Sequence, residues 1–432
     1  MKTLAIIAEY NPFHNGHLYM LNHAGDLTGA DYSIALMSGN FTQRGLPAIC
    51  DKFTRAKSSV LSGIDLCLEL PFVYATGSAY DFANGAISIL NKLNSVDYLC
   101  FGAENDDIKL FDIITDIIVK EPDEYINILR SEQKKGLSYP LARLNGILDY
   151  IRHLNIFDTL TSKEMQSIKD ILSKPNNILA IEYLAALKRT NSDIVPIIIK
   201  RKSAGYKEEN INGSISSAFA IRTVASETSK VELINKLVND MPKSSLECFY
   251  NMYGKEYPLS LSSLMPFIQA TCSLETINNK EICDLNDTLL NKLYKTDLCL
   301  TYEALVKTLK TKDITETRIN RALLHLITGY GEKDRQSFYK NGTGFYVNIL
   351  SFKKTASALI RHINEHSFIP VITKKSDFEK IIDSCQNIDI KTAKKMWQFD
   401  IAASNLYRQL IYNTLGTYIE NDFKTVLPIV EL

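Results

Sequence analysis

The sequence predicts an α/β fold over roughly its first 225 residues, a parallel sheet with helices between its strands, followed by a mainly α-helical C-terminal region. Three observations carry that prediction. Short apolar runs rich in β-forming residues alternate with helical patterns up to about residue 225, as in βαβ units. Beyond that point apolar residues recur mostly at helical spacing. No run approaches the ~20 apolar residues that a membrane-spanning helix requires.

The strands are expected at 3–9 (TLAIIAE), 32–38 (YSIALMS), 66–71 (LCLELP), 97–102 (DYLCFG) and 194–200 (IVPIIIK). Helices are expected between them at 16–24, 51–63, 78–93 and 174–190. In the last of these, Ile178, Ile181, Leu184, Ala185 and Leu187 fall at helical spacing and supply one packing face. Helical patterns follow at 229–241, 286–296, 302–311 and 316–330, and the stretch 344–375 reads as a small extra α/β element. The expected domains are therefore 1–225 and 226–432, a boundary that rests only on the change of pattern. No repeat, low-complexity stretch or linker marks it.

With 432 residues, 45% hydrophobic and 23% charged, the chain is long enough for two or three ordinary cores. Forty-nine basic residues balance forty-nine acidic ones, so no global field draws the protein to nucleic acid or to an anionic membrane. A polyanionic partner must be met by a local patch. The eight cysteines are scattered and form no C-x-x-C pair, which reads as reduced thiols and not as a zinc site. After Lys2 only five apolar residues precede Glu9, too few for the apolar region of a signal peptide, so a cytoplasmic location with no membrane contact is expected.

The stretch AEYNPFHNGHLYML (8–21) carries the strongest chemical signal. A strand ending near Glu9, then Asn-Pro-Phe, then a helix starting near Gly16 puts the turn at the C-terminal end of a parallel strand, where open α/β sheets bind ligands. Gly16 lets a phosphate approach the backbone, the helix start offers N–H groups and a positive dipole end, and His14 and His17 can donate to phosphate oxygens. Local capping or packing is the bland alternative, and for one histidine it would be preferred. The coincidence of the proline, the glycine, the second histidine and the preceding strand favours the phosphate site. A metal pair lacks a nearby third ligand.

Other stretches are open to two readings. Gly102 follows a strand, where a missing Cβ would let a ligand lie against the backbone. Pro175-Asn176-Asn177 opens a helix, and either asparagine could cap it while the other meets a ligand. Arg201 ends a strand, where it could reach a ligand or make a surface ion pair. Ser216, Ser217 and Arg222 in ISSAFAIR stand at a helix start that could hold phosphates. SGNFTQRGLPAICDKFTRAK (37–56) reads as a solvated loop and helix face or as a loop over the site, with Ser38, Asn40, Arg44 and Lys52 as substrate contacts. No G-x-S-x-G elbow suggests an acyl-enzyme nucleophile.

His14-Asn15-Gly16-His17 matches the H-x-G-H signature of the nucleotidyltransferase superfamily. The longer EYNPFHNGHLYML, with MSGNFTQRGLPAICDKFTRA, DLCLELPFVYA, FGAEND, KKGLSYPLAR, SKPNNILAIEY, IKRKSAGY, ISSAFAIR, TETRINR and DIAASNLY, resembles the bacterial tRNA(Met) cytidine acetate ligases over nearly the whole chain. The resemblance implies a Rossmann-like nucleotidyltransferase domain with a mainly helical, tRNA-binding domain after it. It implies activation of acetate by ATP, with Mg²⁺ carried by the phosphates, to acetyl-adenylate and pyrophosphate. The acetyl group would then pass to N4 of the wobble cytidine of elongator tRNA(Met). Its ATP site would fall on Ile7-Ala8-Glu9-Tyr10-Asn11-Pro12-Phe13-His14-Asn15-Gly16-His17-Leu18-Tyr19-Met20, on Gly102, on Asn176 and Asn177, and on Arg201, with His14 and His17 catalytic. Ala218 stands where related ISSTxIR segments carry threonine, which removes one hydroxyl. RNA contact is expected from Arg318, Arg321, Lys353, Lys354, Lys394 and Lys395. The competing functions are an adenylyltransferase of a small phosphorylated metabolite and a non-catalytic RNA-binding protein.

Overall fold

Eight strands organise the computed structural model, which describes residues 1–137, 139–153, 161–201, 217–273, 281–311 and 313–431. They are β1 (Thr3–Ala8), β2 (Tyr32–Ser38), β3 (Leu66–Leu70), β4 (Tyr98–Ala103), β5 (Val195–Lys200), β6 (Val347–Lys353), β7 (Val371–Ile372) and β8 (Ile429–Val430). The chain forms two compact units, one from Met1–Val96 with Lys202–Leu432 and the other from Asp97–Arg201.

In the first unit β1 pairs with β2 and β2 with β3, both parallel, with Ile6 beside Ala35 and Ala35 beside Cys67. β6 then adds antiparallel to β3 and carries β7 and β8 as parallel neighbours. Leu4, Ala5, Ile6, Ile34, Ala35, Leu36, Leu66, Cys67 and Leu68 are all buried. Continuous apolar runs of this kind are what strands covered on both faces require. Helix α1 (Asn15–Thr28) connects β1 to β2, and α2 (Lys52–Leu61) connects β2 to β3 and packs on β3 and β6. Gly29 closes α1 at φ 58°, a left-handed cap that suits glycine. The longest helix, Ile390–Leu415, is absent from the sequence reading because its buried face includes Thr392, Asp400 and Ser404, which break the apolar spacing.

In the second unit β4 and β5 are parallel from Tyr98 beside Val195 to Ala103 beside Lys200. The helix Ile108–Lys120 packs against Pro175–Arg189. The α/β architecture expected from the strand pattern is thus present. The observed units also draw on residues that the pattern alone does not join, since β6 of the later region completes the sheet begun by β1–β3.

Candidate active site

The turn after β1 is the best-organised polar feature of the first unit. His14, extended at φ −141° and ψ 175°, is the N-cap of α1, and its Nδ1 accepts from the Gly16 N–H at 3.0 Å. His17 returns the bond, its Nδ1 accepting from the His14 N–H at 3.2 Å. Two imidazoles therefore make a reciprocal capping box, the role usually filled by a hydroxyl and a carboxylate. Because each Nδ1 accepts from a backbone donor, a neutral ring must carry its proton on Nε2. The ring centroids lie 3.9 Å apart, and Tyr10 and Phe13 pack on His17 at 4.9 and 5.5 Å. The caps thus set the tautomer in which a neutral ring carries its N–H at Nε2.

One expectation is corrected. The first-turn N–H groups of α1 are not open to a phosphate, since Asn15 donates to the Asp240 carbonyl at 2.9 Å, Gly16 to His14 Nδ1, and His17 and Leu18 to the His14 carbonyl. The dipole end persists.

The turn is held from beneath by a residue of the 37–56 stretch, which the sequence leaves open between a solvated face and a loop over the site. Arg55 is buried, and its guanidinium donates to the carbonyls of Glu9 at 2.5 Å, Cys50 at 3.0 Å, Ser38 at 3.1 Å and Gly39. It clamps the ends of β1 and β2 together. Asn11 accepts at its Oδ1 from the Ile49 N–H at 2.8 Å and at its carbonyl from Arg222 Nη1 at 2.7 Å. Tyr10 sits at φ 43°, an uncommon conformation for a bulky residue that these contacts over-determine. The helix Ala218–Glu227 that carries Arg222 starts at Ser217, whose Oγ accepts from the Ala220 N–H at 3.2 Å. Ser216 lies outside the described residues. Burial lowers the pKa of Arg222 and nearby Arg44 opposes its charge, while Glu9 favours it. Glu9 itself accepts from the Gln43 N–H at 2.9 Å.

Ser38 and Asn40 are both buried, and Ser38 Oγ and Asn40 Nδ2 have no hydrogen-bond partner among the described residues. Arg44 is exposed on the same loop. Lys52 has a different placement from the loop contact expected for it. Its ammonium is wholly buried, 2.6 Å from Glu69, 2.7 Å from Asp422 and 2.9 Å from Ser404 Oγ. Lys375 completes the cluster at 3.2 Å from Glu69 and 2.6 Å from Asp422. Burial pushes both carboxyls up, but the two lysines outweigh it and hold them below the ordinary range. Lys52 is a keystone of the interior; its backbone N–H donates to Asn40 Oδ1 at 2.8 Å.

In the second unit, Gly102 lies in β4, and Arg201, exposed, follows β5 with its N–H on the Ala103 carbonyl. Neither Asn176 nor Asn177 caps the helix that they open. Glu104 does so: its Oε2 accepts from the Asn177 N–H at 3.0 Å and its Oε1 from Asn176 Nδ2 at 2.6 Å, a carboxylate at the positive helix end. Asn177 Oδ1 accepts from the N–H groups of Glu104 and Asn105, while its buried Nδ2 has no partner among the described residues. Glu104 was missed because a carboxylate 73 residues away in sequence gives no local capping signal.

The six cations proposed for RNA each have a partner already. Arg321 forks onto Asp284 at 2.8 and 2.9 Å, and Arg318 Nε reaches the Asp284 carbonyl at 3.3 Å. Lys353 binds Asp65, Lys354 binds Glu431, and Lys394 binds Glu379 and Asp383. Lys395 lies 4.0 Å from Asp334 and over the Phe399 ring.

Residues 1–422 match the family described as HIGH Nucleotidyl Transferase. A tRNA(Met) cytidine acetate ligase of Acetivibrio thermocellus is 38% identical over 410 residues, 94% of each chain. One of Halothermothrix orenii is 32% identical over the full length of both. Among solved structures, Thermotoga maritima TmcAL bound with alpha-thio ATP superposes with a TM-score of 0.88 at 29% identity, covering all of both chains.

Proposed function

This chain belongs to the HIGH nucleotidyl transferase family, and from that membership we propose that it is an ATP-dependent tRNA(Met) cytidine acetate ligase. The observation that carries the chemistry is the reciprocal cap of His14 and His17, which commits both rings to Nε2–H donors at the end of β1. An acetate oxygen attacks the α-phosphorus of ATP, the bond to the bridging oxygen of the β-phosphate breaks, and pyrophosphate leaves with that oxygen's charge. Donors fixed where this charge develops lower the barrier without reorganising. The products are acetyl-adenylate and pyrophosphate. In the second step N4 of the wobble cytidine attacks the acetyl carbonyl carbon, and AMP departs.

We assign Mg²⁺ to the triphosphate. Among the described residues no group of three or more His, Cys, Asp or Glu could hold a metal ion. Gly102, Arg201 and the Asn176–Asn177 pair are proposed as nucleotide contacts of the second unit, where the buried Nδ2 of Asn177 is suited to an acceptor such as an adenine ring nitrogen. The catalytic region is assigned to 1–225 and the RNA-binding region to 226–432. With zero net charge the tRNA is met locally, by cations such as Lys354 and Lys395 that can exchange their carboxylate partners for phosphates. Among the described residues no helix is long and apolar enough to cross a membrane.

The test is incubation with ATP, acetate and elongator tRNA(Met), followed by mass analysis of the nucleosides. N4-acetylcytidine and an acetate-dependent ATP–pyrophosphate exchange are expected. Exchange that ignores acetate and needs a phosphorylated metabolite would instead make the protein an adenylyltransferase.

A further inference from the structure

Acetyl transfer requires that the acceptor amine be held beside the adenylate. N4 lies on the edge of cytosine, so a side chain that grips the base by its π face leaves that edge for the reaction. Phe219, in the first turn of Ala218–Glu227, is 62% exposed. Exposure alone means little, because folded proteins show much apolar surface. Its connection to the catalytic turn is what matters. The Arg222 guanidinium lies 5.9 Å from the centre of the Phe219 ring and donates to the Asn11 carbonyl at 2.7 Å. Ile221 and Ala225 are buried with Leu233, Leu237 and Phe249, which fixes the helix that carries both side chains.

A second exposed apolar residue lies next in the chain to a segment that bonds the same turn. Val238 is 53% exposed, and the two residues after it accept from Asn15, Asn239 at 2.8 Å and Asp240 at 2.9 Å. Phe219 thus shares its helix with the arginine that holds Asn11, and Arg222 and exposed Arg44 are close enough to sense each other's charge. An aromatic face with arginines beside it suits an unpaired nucleotide, whose base stacks while its phosphates meet the cations.

We propose that Phe219 is the platform on which the acceptor cytosine of the tRNA stacks. The inference rests on the ligase function proposed above. In the transfer step the N4–C bond forms, the bond between the acetyl carbon and the phosphate oxygen of AMP breaks, and the N4 proton passes to solvent; Phe219 positions the base and takes no proton.

The experiment compares Phe219→Ala and Phe219→Trp in two assays: acetate-dependent ATP–pyrophosphate exchange without RNA, and acetyl transfer as a function of tRNA(Met) concentration. Loss of base stacking should lower kcat/KM for tRNA in Phe219→Ala by roughly 10-fold or more. That fall should exceed any change in exchange by about the same factor, and Phe219→Trp should regain most of the loss. Transfer by Phe219→Ala at the wild-type rate would overturn the proposal. So would a parallel fall of both activities, or a tryptophan variant as impaired as the alanine one, since these mark a structural role. Absence of acetate-dependent exchange in the wild-type protein would refute the ligase function itself, and the platform with it.

Discussion

The Glu256→Gln substitution should change how stability depends on pH. Glu256 is buried, and its Oε2 accepts from the Asp51 N–H at 2.8 Å while its Oε1 accepts from Thr54 Oγ1 at 2.9 Å. Burial, and then the neighbouring Asp51 charge, push its carboxyl from 4.5 up to about 7. Between those values the native state keeps a proton that the unfolded chain releases, so stability falls as pH rises through the window. At roughly 1.4 kcal/mol per pH unit the loss is about 3 kcal/mol. Asp400, also buried and raised to about 7, adds a second loss of the same sign. Glu69 and Asp422 are depressed, so their contribution is lost only as the pH falls below the ordinary carboxylate range. Glutamine can accept from the Asp51 N–H and donate to the Thr54 hydroxyl, so the site keeps its bonds without the charge. Urea unfolding of both proteins at pH 5 and pH 8 should give a wild-type stability that drops between the two, and a drop about 3 kcal/mol smaller in Glu256→Gln. The same drop in both proteins would refute the assignment of the buried proton to Glu256.

Three further outcomes are expected. His17→Ala removes an Nε2–H donor together with the cap on His14, and should slow ATP–pyrophosphate exchange by about 10- to 150-fold, the equivalent of ~1.5–3 kcal/mol, while tRNA affinity in a filter-binding assay changes little. Arg55→Lys keeps the charge but cannot serve all four carbonyls, so it should lower both the urea midpoint and the exchange rate, at a cost of about 1–3 kcal/mol for the unmet carbonyl; an unchanged exchange rate would remove Arg55 from the positioning of the turn. Lys52→Met leaves two buried carboxylates with one lysine and should destabilise by about 3–5 kcal/mol, read in thermal unfolding at pH 7.

Much of the fold was legible because its signals are local. The strand predicted at 32–38 is β2 residue for residue, and those at 3–9 and 194–200 each exceed the observed strand by one residue. The first two strands lie between layers and must be apolar along their length, so composition alone reveals them. The His14–His17 turn was legible for the same reason, since its cap closes within four residues. Glu104 and Arg55 were not, because each acts on backbone groups brought near only by folding.

The sequence by itself determined the alternation of strand and helix, the turn at the end of β1 and the H-x-G-H pattern that marks it. Tertiary structure decided which charges serve chemistry and which serve the interior. Lys52 and Lys354 are the same residue type in similarly polar stretches, yet one side chain is 0% exposed and the other 70%. The difference is made by Glu69 and Asp422, which lie 17 and 370 residues from Lys52 along the chain. A buried cation is tolerated only where such partners converge, and that convergence is a property of the folded chain, to which local sequence pattern is blind.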